Sequence, residues 1–225
     1  MLMSMPVLED SSELMRTTVY HRLRSDILSC ALRPGSQLQE KQLCERYGVS
    51  KSPIRDAMLK LEELSLVEIM PRKGYRVRPI SLADARELYD LRLMLERECV
   101  TKAVEIASDA ALAALDRFRD VDGSMPLPEW IGYNRAFHGA VADASGNARL
   151  AHLTRQVLDQ FDRLTTMSVS QSGPEGRSRF VAEHGGLIDA LRRRDKRQAL
   201  ALSRDHAEGS RKRVFDALAD LSIVP

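Results

Sequence analysis

Apolar positions recur at helical spacing through the first third of the chain. Val19, Leu23, Ile27 and Leu28 form one stripe, and Arg33-Pro34-Gly35 marks where that segment must stop. A shorter segment from about Glu40 to Tyr47 turns Leu43 and Cys44 inward, with Gly48 just beyond it, where a left-handed residue is commonly needed. Ser50 reads as the cap of a third helix running to about Leu64, with Ile54, Met58, Leu61 and Leu64 as its apolar stripe. Helix, short glycine-containing turn, helix is the outline of a helix-turn-helix. Two strand-like runs follow, Leu66-Val67-Glu68-Ile69 and Tyr75-Arg76-Val77, around Pro71-Arg72-Lys73-Gly74. Such a hairpin, with a basic and glycine-bearing tip, is suited to act as a wing.

From Ser81 the pattern is helical throughout. A long first helix carries Leu82, Leu88, Leu91, Leu95, Val100 and Val104, and further segments are expected near 109–121, 128–144, 147–170, 177–193 and 195–221. They are separated by Asp122-Gly123-Ser124-Met125-Pro126, Ser145-Gly146-Asn147 and Ser172-Gly173-Pro174. The predicted fold is mainly α: a winged helix-turn-helix of three helices and a small hairpin, then an all-helical bundle. The expected divisions are a tail over 1–11, a winged helix over 12–79 and the bundle over 80–225.

Composition agrees with helices. The 225 residues are 44% hydrophobic and 29% charged, with aromatics at only 5%, which excludes a wholly disordered chain and suits helices better than β-sandwiches. No apolar run approaches the ~20 residues that span a bilayer, and the start lacks a basic, apolar leader. Cys30, Cys44 and Cys99 are scattered and odd in number, as reduced cytosolic thiols would be. The expectation is a cytoplasmic protein without a membrane partner. The formal net charge of +2 looks uninformative until it is divided. From Arg16 to Pro79, 13 Lys and Arg face 7 Asp and Glu, net +6, whereas from Ile80 onward 21 basic residues face 22 acidic ones, net −1. A basic module joined to a near-neutral one is the footprint of a nucleic-acid reader with an attached sensor.

In a helix-turn-helix the N-terminal residues of the second helix reach base edges in the major groove. Here they are Ser50-Lys51-Ser52-Pro53-Ile54-Arg55. Lys51 and Arg55 lie four residues apart and share a face. Ser50 and Ser52 can donate to phosphates, and Arg55 can read a guanine through two hydrogen bonds. The segments Val19-Tyr20-His21-Arg22-Leu23-Arg24, Leu32-Arg33-Pro34-Gly35, Gly48 through Met58, and Leu61 through Glu68 leading to Pro71-Arg72-Lys73-Gly74 resemble the winged helix-turn-helix of the GntR family. The resemblance implies that Lys41, Lys51 and Arg55 contact double-stranded DNA and that Gly74, beside Lys73, marks a wing tip approaching the minor groove. The family usually has Arg where Lys51 stands; Lys keeps the charge and loses the planar fork.

Three of the five histidines, His138, His184 and His206, fall in three different expected helices. Imidazoles converging inside a bundle suit a borderline transition metal, while spacing alone favours three independent core or surface histidines. Tyr89-Asp90-Leu91-Arg92 with Leu95-Glu96, Phe137-His138, Ser145-Gly146-Asn147, Glu183-His184 and Asp205-His206 resemble, in order, the FCD effector domain of one GntR branch. Metal-binding members have an Asp four residues before the first His; here Asn134 stands there. The resemblance implies a divalent transition metal (zinc, nickel or manganese) held by Asn134, His138, His184 and His206. It also implies a small carboxylate effector met by Arg92, whose planar fork matches carboxylates; a surface pair of Arg92 with Glu96 is the competing reading. His21 and His152 match no motif position, and Trp130 reads as a packing residue.

The function expected is a homodimeric regulator, a repressor by preference, that binds a palindromic operator and responds to an organic acid. Residues near 78–84 would transmit the response between the modules. A helical metalloenzyme acting on an organic acid or phosphoester is the alternative, although neither a phosphate-binding loop nor a nucleophile elbow is present, and an enzyme gives no reason for the basic winged helix.

Overall fold

The structure is a computed structural model that describes residues 8–170 and 173–220. Residues 1–7 of the expected tail, Ser172 of the expected third break and residues 221–225 lie outside the described residues. The chain divides into two compact units, Met1–Ile80 and Ser81–Pro225.

The first unit runs α1 (Leu8–Leu28), β1 (Gln37–Leu38), α2 (Glu40–Tyr47), α3 (Lys51–Glu63), β2 (Val67–Met70) and β3 (Gly74–Val77). The expected stripes are its core: Val19, Leu23, Ile27, Leu43, Ile54, Met58 and Leu61 are buried together with Val67, Tyr75 and Val77. Each fully buried aliphatic side chain contributes roughly 1.5–3 kcal/mol of transfer free energy. Gly48 has φ +68, and its N–H closes α2 on the Cys44 carbonyl at 2.9 Å, so the chain can turn sharply into α3. Ser50 stands at the N-cap of α3 in extended conformation but makes no capping bond. Its expected capping role is therefore corrected: the hydroxyl is left facing outward. Two further differences are local. Helix α1 opens at Leu8, within the span 1–11 expected as a tail. The hairpin is also joined by β1, giving an antiparallel sheet of order β1-β3-β2, with Leu38 opposite Tyr75 and Met70 opposite Gly74. Gly74 is required at that tip. Its φ is +88, and a Cβ there would lie 2.5 Å from the Leu38 carbonyl oxygen.

The second unit is helical: α4 (Leu82–Ile106), α5 (Asp109–Ala113) continuing as a 3₁₀ segment (Ala114–Phe118), α6 (Leu127–Ala144), α7 (Ala148–Val169), α8 (Gly173–Arg192) and α9 (Lys196–Asp220). Ser81 caps α4 by accepting from the Asp84 N–H at 3.0 Å, and Asn147 caps α7 through Leu150. The segment expected near 109–121 is a short helix followed by a 3₁₀ turn ending at Phe118. Helix α4 lies against α6, α7 and α9, and here the apolar pattern misleads. Leu82 and Leu91 are exposed, whereas the inward face is Ala85, Tyr89, Arg92, Glu96, Cys99, Val100 and Ala103. Two charged residues thus sit in the middle of the bundle's central stripe. Among the described residues no helix is long and apolar enough to cross a membrane.

Candidate functional site

The DNA-facing candidates lie on the surface of the first unit. Lys41, Ser50, Lys51, Ser52, Arg55 and Lys73 are exposed and Gly74 is half-buried. Packing of Ile54, Ala57, Met58 and Leu61 into the core turns Lys51 and Arg55 outward on the opposite face of α3. One acidic residue, missed in the sequence, gathers both. Glu40, at the start of α2, accepts from Arg55 Nε at 2.6 Å and Nη2 at 3.1 Å, and the Lys51 ammonium lies 3.7 Å away. The bond from Arg55 holds the Glu40 carboxyl below its ordinary range. Lys41 stands apart, 3.9 Å from Glu45. At the wing, the Gln39 side-chain amide donates to the Lys73 carbonyl at 3.1 Å, tying β1 to the tip.

The histidines converge. His138 of α6, His184 of α8 and His206 of α9 each offer a ring nitrogen within 4.8 Å of the other two, and their ring centroids are 4.9–5.3 Å apart. His21 and His152 are exposed and take no part. Hydrogen-bond partners fix which nitrogens face the centre. Tyr133 has one phenolic proton, which it gives to the Phe118 carbonyl at 3.0 Å, so it accepts from His184 Nδ1–H, also at 3.0 Å. Glu183 accepts from His206 Nδ1 at 2.8 Å. Glu96 lies 3.0 Å from His138 Nδ1, and Arg92, which can only donate, reaches His138 Nε2 at 3.1 Å. In His138 and His184 the proton is therefore on Nδ1 and the lone pair on Nε2, and His206 donates from Nδ1. This is the usual arrangement of a metal-ligating histidine, whose remote N–H is held by an oxygen.

The electrostatics agree. Burial lowers His138 to about 4, with Glu96 opposing and Arg92 reinforcing the shift, and burial together with the neighbouring histidines and Arg92 lowers His184 further. Burial would raise the Glu96 carboxyl, but Arg92 and His138 outweigh it and hold it well below the usual carboxylate range. His138 and His184 are thus neutral imidazoles at pH 7, beside the Glu96 carboxylate. His184 is 1% exposed, stacks on Phe137 at 3.9 Å, and has a buried Nε2 with no hydrogen-bond partner among the described residues. An orphaned lone pair beside two other imidazoles fits a divalent metal, the ligand set of a borderline transition ion.

Beside the histidines a small cavity is lined by Arg92, Trp130, Asn134, His206, Ser210 and Arg213 among others. Asn134 thus borders the same space as His206. The expected surface pair is half right: Arg92 Nε does bond Glu96 at 2.8 Å, but the side chains are only 2% and 8% exposed. Trp130 packs against Phe180, as a core residue does, yet its buried indole N–H has no hydrogen-bond partner among the described residues. Tyr133 and Arg213 were not singled out from the sequence; Glu96 and Glu183 entered only within the FCD resemblance, with Glu96 also as the surface partner of Arg92. Glu183 directly precedes His184, but adjacent helical residues point about 100° apart, and it serves His206 on the next helix instead.

A winged helix with a basic recognition helix, joined to a helical bundle, is the architecture of a DNA-binding regulator. Residues 15–77 match the gntR family of bacterial regulatory proteins and residues 87–209 match the FCD domain. The chain belongs to the GntR family and is a transcriptional regulator of its FCD-bearing branch. It is 30% identical over 202 residues to the transcriptional regulator BphR of Paraburkholderia xenovorans, covering 85% of this chain and 81% of that one. It is 28% identical over 182 residues to the transcriptional repressor RspR of Escherichia coli, covering 79% and 78%. Among solved structures it is similar in fold to E. coli McbR/YncC, with a TM-score of 0.76 at 21% identity, covering 90% of this chain and 97% of that one. These relatives and both matched domains are regulators, not enzymes, which removes the metalloenzyme alternative.

Proposed function

We propose that the chain is a cytoplasmic, homodimeric repressor whose operator binding is controlled by a small organic acid at a metal-containing centre of the second unit. The observation that carries this reading is the convergence of three imidazoles, one with an orphaned Nε2, beside a cavity lined by two arginines. His138, His184 and His206 would hold the metal, zinc, nickel or manganese, with Asn134 as a neutral oxygen donor where metal-binding relatives use a carboxylate. When bound, the ion supplies a Lewis-acidic position for an acidic ligand. The chain's own residues do the rest. Glu96, Tyr133 and Glu183 orient the imidazoles, while Arg92, Arg213 and the Trp130 N–H offer donors to an anion.

In the first unit, Arg55 and Lys51 would read and grip the major groove, with Ser50, Ser52 and Lys41 on phosphates and Lys73-Gly74 at the minor groove. Dimerisation is supported by large apolar side chains left exposed on two packed helices, Leu91 and Met94 on α4 and Leu153 on α7. A dimer presents two recognition helices to a palindrome. Repression is favoured because RspR, the relative above, is a repressor. The direct test is elemental analysis of protein purified without added metal. About one transition-metal ion per chain is expected, lost in His184→Ala; a metal-free wild type that also gains none from added zinc overturns the reading.

A further inference from the structure

The donor set has one flaw as a ready-made metal site. The His138 Nε2 lone pair, which a metal would need, is taken by Arg92 Nη2 at 3.1 Å. A ring nitrogen has one lone pair and cannot both accept a hydrogen bond and ligate an ion. The same guanidinium gives its Nε to Glu96 at 2.8 Å, and Glu96 in turn lies 3.0 Å from His138 Nδ1. Arg92, Glu96 and His138 thus form a closed, buried triangle that satisfies both ring nitrogens without any metal. The site also places a fixed positive charge against the nitrogen where a dipositive ion would bind, and in a buried setting like charges are poorly screened. His184 Nε2 remains orphaned because Arg92 reaches only one ring.

We propose that Arg92 is an internal competitor of the metal: its bond to His138 Nε2 and metal ligation by that nitrogen exclude one another. The inference rests on the metal reading above and adds a coupling to it. Arg92 borders the cavity shared with Asn134, Ser210 and Arg213 and lies over the Phe161 ring, 5.1 Å from its centroid. Its Nη2 can leave His138 while Nε keeps Glu96. An anion in the cavity that takes the freed edge of the fork would then release His138 to the metal, so anion and metal would strengthen one another's binding by the same factor.

The test is the zinc affinity of chelator-stripped protein, measured at fixed pH by competition with a chromophoric chelator. Arg92→Ala should bind zinc about tenfold tighter than wild type, the weight of one lost hydrogen bond to a charged donor. Millimolar guanidinium chloride should weaken zinc binding by this variant and leave wild type unchanged, because the free cation refills the vacated place. Arg92→Lys guards against misfolding: it keeps a cation for Glu96 on a stem without the fork, and it too should bind zinc more tightly than wild type. If Arg92 merely organises the site, both variants bind zinc equally or more weakly and guanidinium has no effect, which overturns the proposal while the metal reading stands. Zinc binding by neither wild type nor variants overturns both.

Discussion

Each candidate site holds an arginine on a glutamate, and the two pairs differ most in burial. Arg55 and Glu40 meet at 2.6 Å with side chains 61% and 22% exposed. Arg92 and Glu96 meet at 2.8 Å with 2% and 8% exposed. The first pair is partly solvated and screened by salt, so its net value is small. The second pair has lost its water. Neither member can be released unless something of matching charge takes its place, because an uncompensated buried charge is far more costly than the pair is favourable. The same two residue types thus make a loosely parked pair in one unit and a locked pair in the other. Burial, rather than residue identity, separates the two.

The largest effect should come from breaking the buried pair. Glu96→Ala leaves the Arg92 cation unpaired and removes the acceptor of His138 Nδ1–H, and should destabilise the second unit by ~3–5 kcal/mol. Trp130, the sole tryptophan, lies in that unit and reports its urea unfolding by fluorescence. A loss below about 1 kcal/mol would show that water reaches the pair. Replacing both partners with apolar residues, Arg92→Met with Glu96→Leu, should recover more than half of that loss in the same assay, since no unpaired charge remains. Equal destabilisation by the single and double changes would assign the effect to His138 instead.

Arg55→Ala should weaken operator binding by about 1–3 kcal/mol and relax base preference at one position of each half-site. Fluorescence anisotropy on operator and scrambled duplexes separates the two effects. A uniform loss on both duplexes would make Arg55 a phosphate contact and not a base reader.

What the sequence could convey follows the same division. The winged helix was legible because its core is local and periodic: Val19, Leu23, Ile27 and then Ile54, Met58, Leu61 recur at helical spacing, and Gly48 punctuates them. Strand β1 was not, since Gln37–Leu38 is too short to alternate and exists only because β3 accepts it as a neighbour. The three histidines could be picked out through the FCD resemblance, but what holds each of them could not. Glu183 belongs to His206, 23 residues away, and Tyr133 to His184, 51 residues away, and such pairings depend on how helices stack. Helix α4 misled most, because its leucines mark an outer face while Arg92 and Glu96, polar by type, are buried through partners on α6.

The smallest expected effect is the most discriminating for the exposed pair. Glu40→Gln should change stability by less than about 0.5 kcal/mol, as surface pairs do. It raises the net charge over Arg16–Pro79 from +6 to +7 and frees Lys51 and Arg55 from their shared carboxylate. If the pair is only parked, affinity for scrambled DNA should rise more than affinity for the operator, because the freed cations add a sequence-independent phosphate term, and the salt slope should steepen by up to about one unit. If Glu40 instead aligns Arg55 for a base, the substitution should weaken operator binding and leave scrambled DNA unchanged. In that case the Arg55–Glu40 bond would persist in the complex, and the exposed pair would share with the buried one a positioning role that its exposure conceals.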